Sequence, residues 1–327
     1  MSAIALPVRA DAATAGFWRG YAVTLRPYLF FVSGAAGLVG LAAAPPLPLP
    51  AFALAFGAFF VSYGLGQALT DVFQTDTDSI SSPYRPLVRG EIRRGAVLLV
   101  SLSGLTLCGL TLALFNPWNL ALAAAAVGGL AAYTPLKRRW WGGPPCNAAV
   151  MALLPAMGFL CAEPSPMRVI ASPLLPLAAG SVFASYAVFV LLGYLKDVEA
   201  DRATGYATIA VRFGRRTAVL ASGAFCVAGL GASLLLLARA RWSDASRWPG
   251  DVLWLAGAIV LVAAHVKALA VQSDAEAFPA IALSVLGFLA LHLGEASVLR
   301  PALAPLAAVL LVFFEATLAR RPCREQI

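Results

Sequence analysis

From Arg26 to Ala319 the chain alternates long apolar stretches with short polar connectors. A helix that crosses a bilayer needs about 20 mainly apolar residues. Ten stretches meet or approach that length: Arg26–Ala44, Ala51–Thr70, Gly95–Phe115, Leu120–Thr134, Cys146–Cys161, Leu174–Tyr194, Thr217–Ala238, Val252–Val271, Phe278–Leu299 and Ala302–Ala319. The fourth and fifth are short. Proline marks several of their ends, with Pro45–Pro50 closing the first and Pro144–Pro145 preceding the fifth. Strands of a membrane barrel alternate every second residue, and these runs are continuous, so the pattern predicts an all-α polytopic membrane protein.

Composition sharpens this. Of 327 residues, 60% are hydrophobic and only 12% charged, against about 25% charged in a soluble domain. The mean hydropathy of +0.81 requires most of the surface to face something other than water. The net charge of +8 does not indicate nucleic acid, because the basic residues sit in connectors between apolar runs. Cys108, Cys146, Cys161, Cys226 and Cys323 form no CxxC pair and mostly fall inside spans, as small packing residues do. Met1–Tyr21 carries Arg9, Asp11 and Arg19 without a sustained apolar core, so no cleavable signal peptide is expected.

With the N-terminus in the cytoplasm, alternate connectors collect 19 of the 24 basic residues: Arg9, Arg19, Arg26, Arg85, Arg89, Arg93, Arg94, Lys137, Arg138, Arg139, Lys196, Arg202, Arg212, Arg215, Arg216, Lys267, Arg320, Arg321 and Arg324. The other side keeps Arg168, Arg239, Arg241, Arg247 and Arg300. The asymmetry follows the positive-inside rule and predicts an inner-membrane protein whose long connectors after spans two, four and six face the cytoplasm.

Those connectors hold the chemistry. Six of the 16 carboxylates form two clusters, Asp71, Asp76 and Asp78, and Asp197, Glu199 and Asp201, at the cytoplasmic ends of spans two and six. On a continuing helix Asp71, Gln74 and Asp78 share a face, with Gln67 one turn deeper; Asp197 and Asp201 share another, with Glu199 pointing elsewhere. Facing stripes of this kind make an oxygen-rich cage suited to Mg²⁺ held through one or two carboxylates plus phosphate oxygens. The bland alternative is carboxylates that solvate a connector. Their matched positions near membrane depth favour function. Basic partners follow each cluster, in Ser82-Pro-Tyr-Arg85-Pro-Leu-Val-Arg89, in Tyr133-Thr-Pro-Leu-Lys137, and at Lys196 and Arg212. Metal with Lys or Arg is a clamp for a phosphate group whose charge grows as its bond to carbon breaks.

These residues carry a resemblance to the UbiA superfamily of intramembrane prenyltransferases, running from about Arg26 to Leu299. That family has an Asn-Asp-x-x-Asp-x-x-x-Asp motif, a Pro-x-Arg-Pro element, a Tyr-x-x-x-Lys loop and a second Asp-x-x-x-Asp motif. The chain supplies Asp71 and Asp78, then Pro83-Tyr-Arg85-Pro86, then Tyr133 and Lys137, then Asp197 and Asp201. It departs at Thr70, where the family has Asn, and at Gln74, where the family has its central Asp; Asp76 is an added carboxylate. The resemblance implies nine helices around a cavity, two Mg²⁺ ions, and a prenyl diphosphate whose tail lies in an apolar tunnel open to lipid. It makes Asp71, Asp78, Asp197, Asp201 and Lys137 the expected catalytic set and Asp71, Asp76, Asp78, Asp197 and Asp201 the expected metal ligands. Arg26, Gln67, Thr70, Gln74, Arg85, Tyr133, Tyr194, Lys196 and Arg212 are expected to hold the diphosphate or the acceptor.

The expected organisation is a cytoplasmic segment over 1–25, a prenyltransferase-like domain over 26–299, and a tenth span with a basic tail over 300–327. The expected reaction is ionisation of the prenyl diphosphate and transfer to an aromatic or quinone-precursor acceptor. The alternative is a terpene cyclase acting on farnesyl or geranylgeranyl diphosphate without an acceptor. Aromatic residues near the site (Phe30, Phe31, Phe59, Phe60, Tyr63, Phe183, Tyr186, Phe189) could face a cation or simply pack. A transporter with acidic gates would put its charges near the midplane, and these lie at one face. His265 and His292 lack a metal partner at helical spacing and read as packing residues.

Overall fold

A computed structural model describes Ala12 and residues 14–240 and 245–321. Arg9, Asp11, Arg241, Cys323 and Arg324 lie outside the described residues. Fifteen helices follow in order: α1 Ala15–Leu25, α2 Phe30–Ala43, α3 Leu49–Asp71, α4 Thr75–Ser81, α5 Arg94–Ala113, α6 Trp118–Lys137, α7 Gly143–Leu160, α8 Pro166–Ala171, α9 Leu175–Gly193, α10 Val198–Ala203, α11 Ile209–Phe213, α12 Arg215–Arg239, α13 Trp248–Ala268, α14 Phe278–Leu299 and α15 Ala304–Ala319. Among the described residues ten helical segments are long and apolar enough to cross a membrane, counting α1 and α2 as one. They correspond to the ten expected spans. The fourth and fifth are longer than expected, because α6 runs on through Pro135 to Lys137 and α7 starts at Gly143.

Proline starts many of these helices. Pro50, Pro144, Pro176, Pro249, Pro279 and Pro305 all sit in the first turn of theirs, where the missing N–H is no loss and φ is already helical.

The central helices α2, α9 and α14 are the most enclosed, and α3, α5, α6, α7, α12, α13 and α15 surround them. Large apolar side chains such as Leu107, Leu114, Val227, Ile259, Val266 and Val312 point outward, as a lipid-facing surface requires. Lipid gives helices no hydrophobic reason to associate, so close backbone approach matters more. A Cβ on Gly257 of α13 would stand 2.3 Å from the Leu291 amide of α14, and one on Gly40 of α2 would stand 2.0 Å from the Pro155 carbonyl of α7. Glycine at those two positions lets the helices touch.

Four short helices of the connectors were not legible as such: α4 between spans two and three, and α10 and α11 between spans six and seven, lie over the bundle mouth, while α8, between spans five and six, lies at the opposite end.

Candidate active site

The helix expected to run through both acidic positions stops at Asp71 and restarts at Thr75. The break still turns Asp71, Gln74 and Asp78 into one cavity at the mouth of the bundle. That cavity, about 790 Å³, is lined from α3 by Tyr63, Gln67, Thr70 and Asp71, and from the connectors by Arg26, Gln74, Asp78 and Arg85. From the other side come Tyr133 and Lys137 at the end of α6, Asn147 near the start of α7, Tyr186 and Phe189 on α9, and Tyr194, Lys196 and Asp197 beyond it.

Arg26 enters through an unusual backbone. It has φ of 50° and is the only non-glycine residue with positive φ among the described residues. Pro27 disfavours the right-handed helical region for the residue before it, and the left-handed turn ends α1 and aims the guanidinium inward. Its Nη1 donates to Gln67 Oε1 at 2.5 Å and its Nη2 to Asp71 Oδ2 at 2.6 Å. Arg85 Nη1 donates to Asp71 Oδ1 at 3.3 Å and to Asp78 Oδ2. Two arginines and two carboxylates thus make one buried ladder.

Opposite the ladder, Lys137 Nζ donates to Gln74 Oε1 at 3.4 Å and pairs with Asp201 Oδ1 at 3.1 Å, which also accepts from Thr77 Oγ1 at 3.2 Å. Asp201 is fully buried behind Lys137 and does not line the cavity. Burial pushes its carboxyl up to about 6 against the pull of Lys137. Burial likewise raises Asp78 despite Arg85, and the Asp78 and Asp71 charges hold Arg85 all the more firmly protonated against its own burial. Asp197 goes the other way. Burial raises it, but Lys196, Lys137 and Arg85 together hold it below the usual carboxylate range.

Three expected site residues stand outside the cavity lining: Asp201, expected as a catalytic residue and metal ligand, sits behind Lys137, and Asp76 and Arg212 stand elsewhere. Asp76 lies on the outer face of α4, where it accepts from Arg138 Nη2 at 2.9 Å and Tyr206 Oη at 3.2 Å, because the restart of the helix at Thr75 turns it away from the cavity. Asp76, expected among the metal ligands, thus stands outside the cavity lining and links the connectors after spans two, four and six. Arg212 is exposed on α11, with its guanidinium 5.7 Å from the Phe213 ring, and lies outside the cavity lining. Glu199 is exposed, as expected, its amide donating to Asp274 Oδ2. Of the aromatic residues, Tyr63, Tyr186 and Phe189 line the cavity, whereas Phe30, Phe31 and Phe60 pack edge to face on one another. Asn147 was missed; its signal was a lone amide opening the apolar run after Pro144–Pro145.

The donor set suits a hard cation shared with a phosphate. Among the described residues no three acidic, His or Cys side chains converge closely enough to cage a metal alone. Asp197 Oδ1 is buried without a hydrogen-bond partner, its nearest cation being Lys196 Nζ at 3.8 Å. Mg²⁺ is ordinarily held by one or two carboxylates while phosphate and water complete the octahedron, and these residues fit that use.

Comparison with known proteins agrees with this geometry. The UbiA prenyltransferase family matches residues 29–291. The chain is 31% identical over 214 residues to the digeranylgeranylglyceryl phosphate synthase of Natronomonas pharaonis, covering 64% of this chain and 74% of that protein. The enzyme of the same name from Thermococcus kodakarensis is 30% identical over 217 residues, with the same coverage. Among solved structures, a UbiA homolog from Aeropyrum pernix aligns with a TM-score of 0.69 at 19% identity, over 81% of this chain and 95% of that one. A UbiA homolog from Archaeoglobus fulgidus bound to GPP and Mg²⁺ aligns with a TM-score of 0.63 at 19% identity, over 83% and 99%.

Proposed function

Because the chain belongs to the UbiA prenyltransferase family, we propose that it transfers a prenyl group from a prenyl diphosphate to an acceptor at the cavity bounded by Asp71, Asp78, Lys137 and Asp197. One observation carries this reading: a mouth rich in paired carboxylates and cations opens directly onto an apolar slot, the two halves of a prenyl diphosphate in complementary form.

Asp71 and Asp78 on one side and Asp197 on the other would hold two Mg²⁺ ions against the diphosphate. Bound there, the ions would supply Lewis-acid neutralisation of the leaving charge. Lys137, Arg85 and Lys196 add positive charge to the same cavity lining, where the diphosphate would sit. Asp201 is a positioning residue, holding Lys137 from behind. As the C1–O bond lengthens, positive charge on the allylic carbon meets the ring faces of Tyr63, Tyr186 and Phe189. The acceptor closes the new bond at C1, its proton passing to the departing diphosphate.

The acceptor is best read from the relatives, whose name describes a glyceryl phosphate carrying two geranylgeranyl groups. We infer a hydroxyl-bearing, phosphate-bearing lipid, in place of the aromatic ring expected earlier. Four cations against three carboxylates in the cavity lining leave positive charge for such a group. The active mouth faces the cytoplasm of a cell membrane, on the same side as most of the basic residues.

Purified protein given prenyl diphosphates and Mg²⁺ is expected to release diphosphate only when a prenylglyceryl phosphate is present, and chelation by EDTA is expected to stop it. Release without acceptor, accompanied by a cyclic hydrocarbon or alcohol, would establish the cyclase instead.

A further inference from the structure

The polar cavity continues past a narrow waist. Tyr63, Gln67, Leu130, Asn147 and Tyr186 line both it and a second space of about 700 Å³, walled by α3, α5, α6 and α7 and open along one side. At the waist the Tyr63 and Tyr186 hydroxyls share a hydrogen bond of 3.1 Å. Beyond it almost every lining group is apolar.

The depth of this slot can be read from the helices that wall it. Along α3 it extends from Gln67 to Ala58, nine residues or about 13 Å at about 1.5 Å per residue. Along α7 it extends from Asn147 to Met157, ten residues or about 15 Å. Phe59, Leu112, Leu154 and Met157, all buried, close the far end.

That floor is braced from behind. The Phe59 ring lies so near α2 that a Cβ on Gly37 would stand 2.4 Å from it. Asn119 Nδ2 donates to the Leu112 carbonyl at 3.1 Å, and Asn116 Nδ2 donates to the Glu163 carbonyl at 3.0 Å. The first bond tightens the α5–α6 turn that carries Leu112, and the second ties that turn to the segment after α7.

An isoprene unit puts four main-chain bonds of about 1.5 Å end to end, and spans about 5 Å when extended. With C1 at the waist, two units leave the bottom of the slot empty, three fill it, and four overrun it. We propose that the slot is a length gauge with Phe59 and Met157 as its stop, and that the preferred donor is the fifteen-carbon, three-unit prenyl diphosphate. The assignment rests on the prenyl-transfer reading above and names the substrate length that reading leaves open.

The test compares kcat/KM for the ten-, fifteen- and twenty-carbon diphosphates at fixed acceptor, in wild type and two kinds of variant. Wild type is expected to favour the fifteen-carbon donor by about tenfold over either neighbour, given the apolar area that one unit buries or fails to bury. Phe59→Ala with Met157→Ala deepens the slot and is expected to raise the twenty-carbon to fifteen-carbon ratio by about tenfold. Ser62→Phe acts oppositely. Ser62 lines the slot one turn nearer the waist than Phe59, so a ring there lifts the floor by about 5 Å and moves the preference to ten carbons.

Because the deepened double variant risks poor folding, Phe59→Leu is measured beside it and is expected to shift the ratio in the same direction. Equal use of fifteen and twenty carbons by wild type, with the last unit leaving sideways between α5 and α6, would overturn the gauge. So would a ratio unmoved in both Phe59→Leu and Ser62→Phe. Failure of all three donors in wild type would instead overturn the prenyl-transfer reading itself.

Discussion

Arg26 and Arg85 divide the work of the acidic ladder unequally. Arg26 is fixed by a left-handed backbone and forks between Gln67 and Asp71, so a lysine there loses the planar, two-headed geometry. Arg26→Lys is expected to lower kcat/KM by about tenfold to a hundredfold, comparable to losing one charge-assisted hydrogen bond. Asp71→Asn and Asp197→Asn remove charge facing the diphosphate and are expected to lower kcat by about a thousandfold. Asp76→Asn, on the outer face, should stay within about threefold of wild type, since exposed pairs contribute at most about 1 kcal/mol. A loss from Asp76→Asn as deep as that from Asp71→Asn would return it to the metal site. The contrast also shows what spacing could reveal. Asp71, Asp78, Lys137 and Asp197 were legible because each lies at or just beyond the mouth end of a span. Asp76 and Arg212 misled because which way a side chain points depends on a break at Val72–Gln74 and a turn at Gly214, and neither leaves a hydrophobic pattern. Asn147 was invisible for a different reason: one amide in an apolar run carries no periodicity.

Between helices, the least expected feature is a polar knot outside the cavity lining, linked to it through Phe288 and Tyr186. Glu295 on α14 is fully buried and accepts from Ser181 of α9, Ser233 of α12 and His292 of its own helix. His292 Nε2 in turn bonds Ser185 Oγ at 2.7 Å, and Trp254 of α13 donates to Ser233 at 2.6 Å. Three helices therefore meet on one carboxylate and a fourth joins through Ser233, inside a layer where hydropathy alone shows only uniform apolarity. His292 does pack, as expected, but as part of this knot; His265 similarly bonds Ser222 at 2.9 Å. The knot fixes the rotation of α9, and the same helix carries Tyr186 and Phe189, Phe189 one turn on from the knot's Ser185. Glu295→Ala strands three donors at once and is expected to destabilise the bundle by about 3 kcal/mol. Thermal unfolding of the detergent-purified protein should show a lower midpoint for Glu295→Ala and a much smaller change for Glu295→Gln, which keeps an acceptor oxygen. Equal stability of Glu295→Ala and wild type would mean that water replaces the carboxylate there. The ten spans themselves were legible because lipid imposes length and apolarity on each one. The helix order around the axis was not, since glycine contacts and buried polar knots decide it.

At the scale of the whole molecule, scarce charge sets direction. Excluding Arg9, Arg241 and Arg324, the described residues place 17 basic side chains at the mouth end and four at the other, Arg168, Arg239, Arg247 and Arg300. The family match ends at residue 291, within α14, and α15 lies beyond it. It packs against α14 and the Pro27–Leu29 turn, with buried Phe314 5.8 Å from Phe31, and thereby braces the segment that aims Arg26. An even number of spans returns the chain to the side where it began, which puts Arg320 and Arg321 with the other basic residues and reinforces the orientation. The orientation can be read directly by thiol labelling of a variant without its native cysteines. A single cysteine at exposed Glu199 is expected to react with a membrane-impermeant maleimide only in inverted vesicles, and one at exposed Trp248 only in right-side-out cells. The reverse pattern would put the acidic mouth outside the cell. A soluble pool of diphosphate donor in the cytoplasm would then have no path to it, and the prenyl-transfer reading would need a donor delivered from the other face. The charge asymmetry weighs against that outcome, because connectors carrying clusters of Lys and Arg are the ones that stay on the cytoplasmic side.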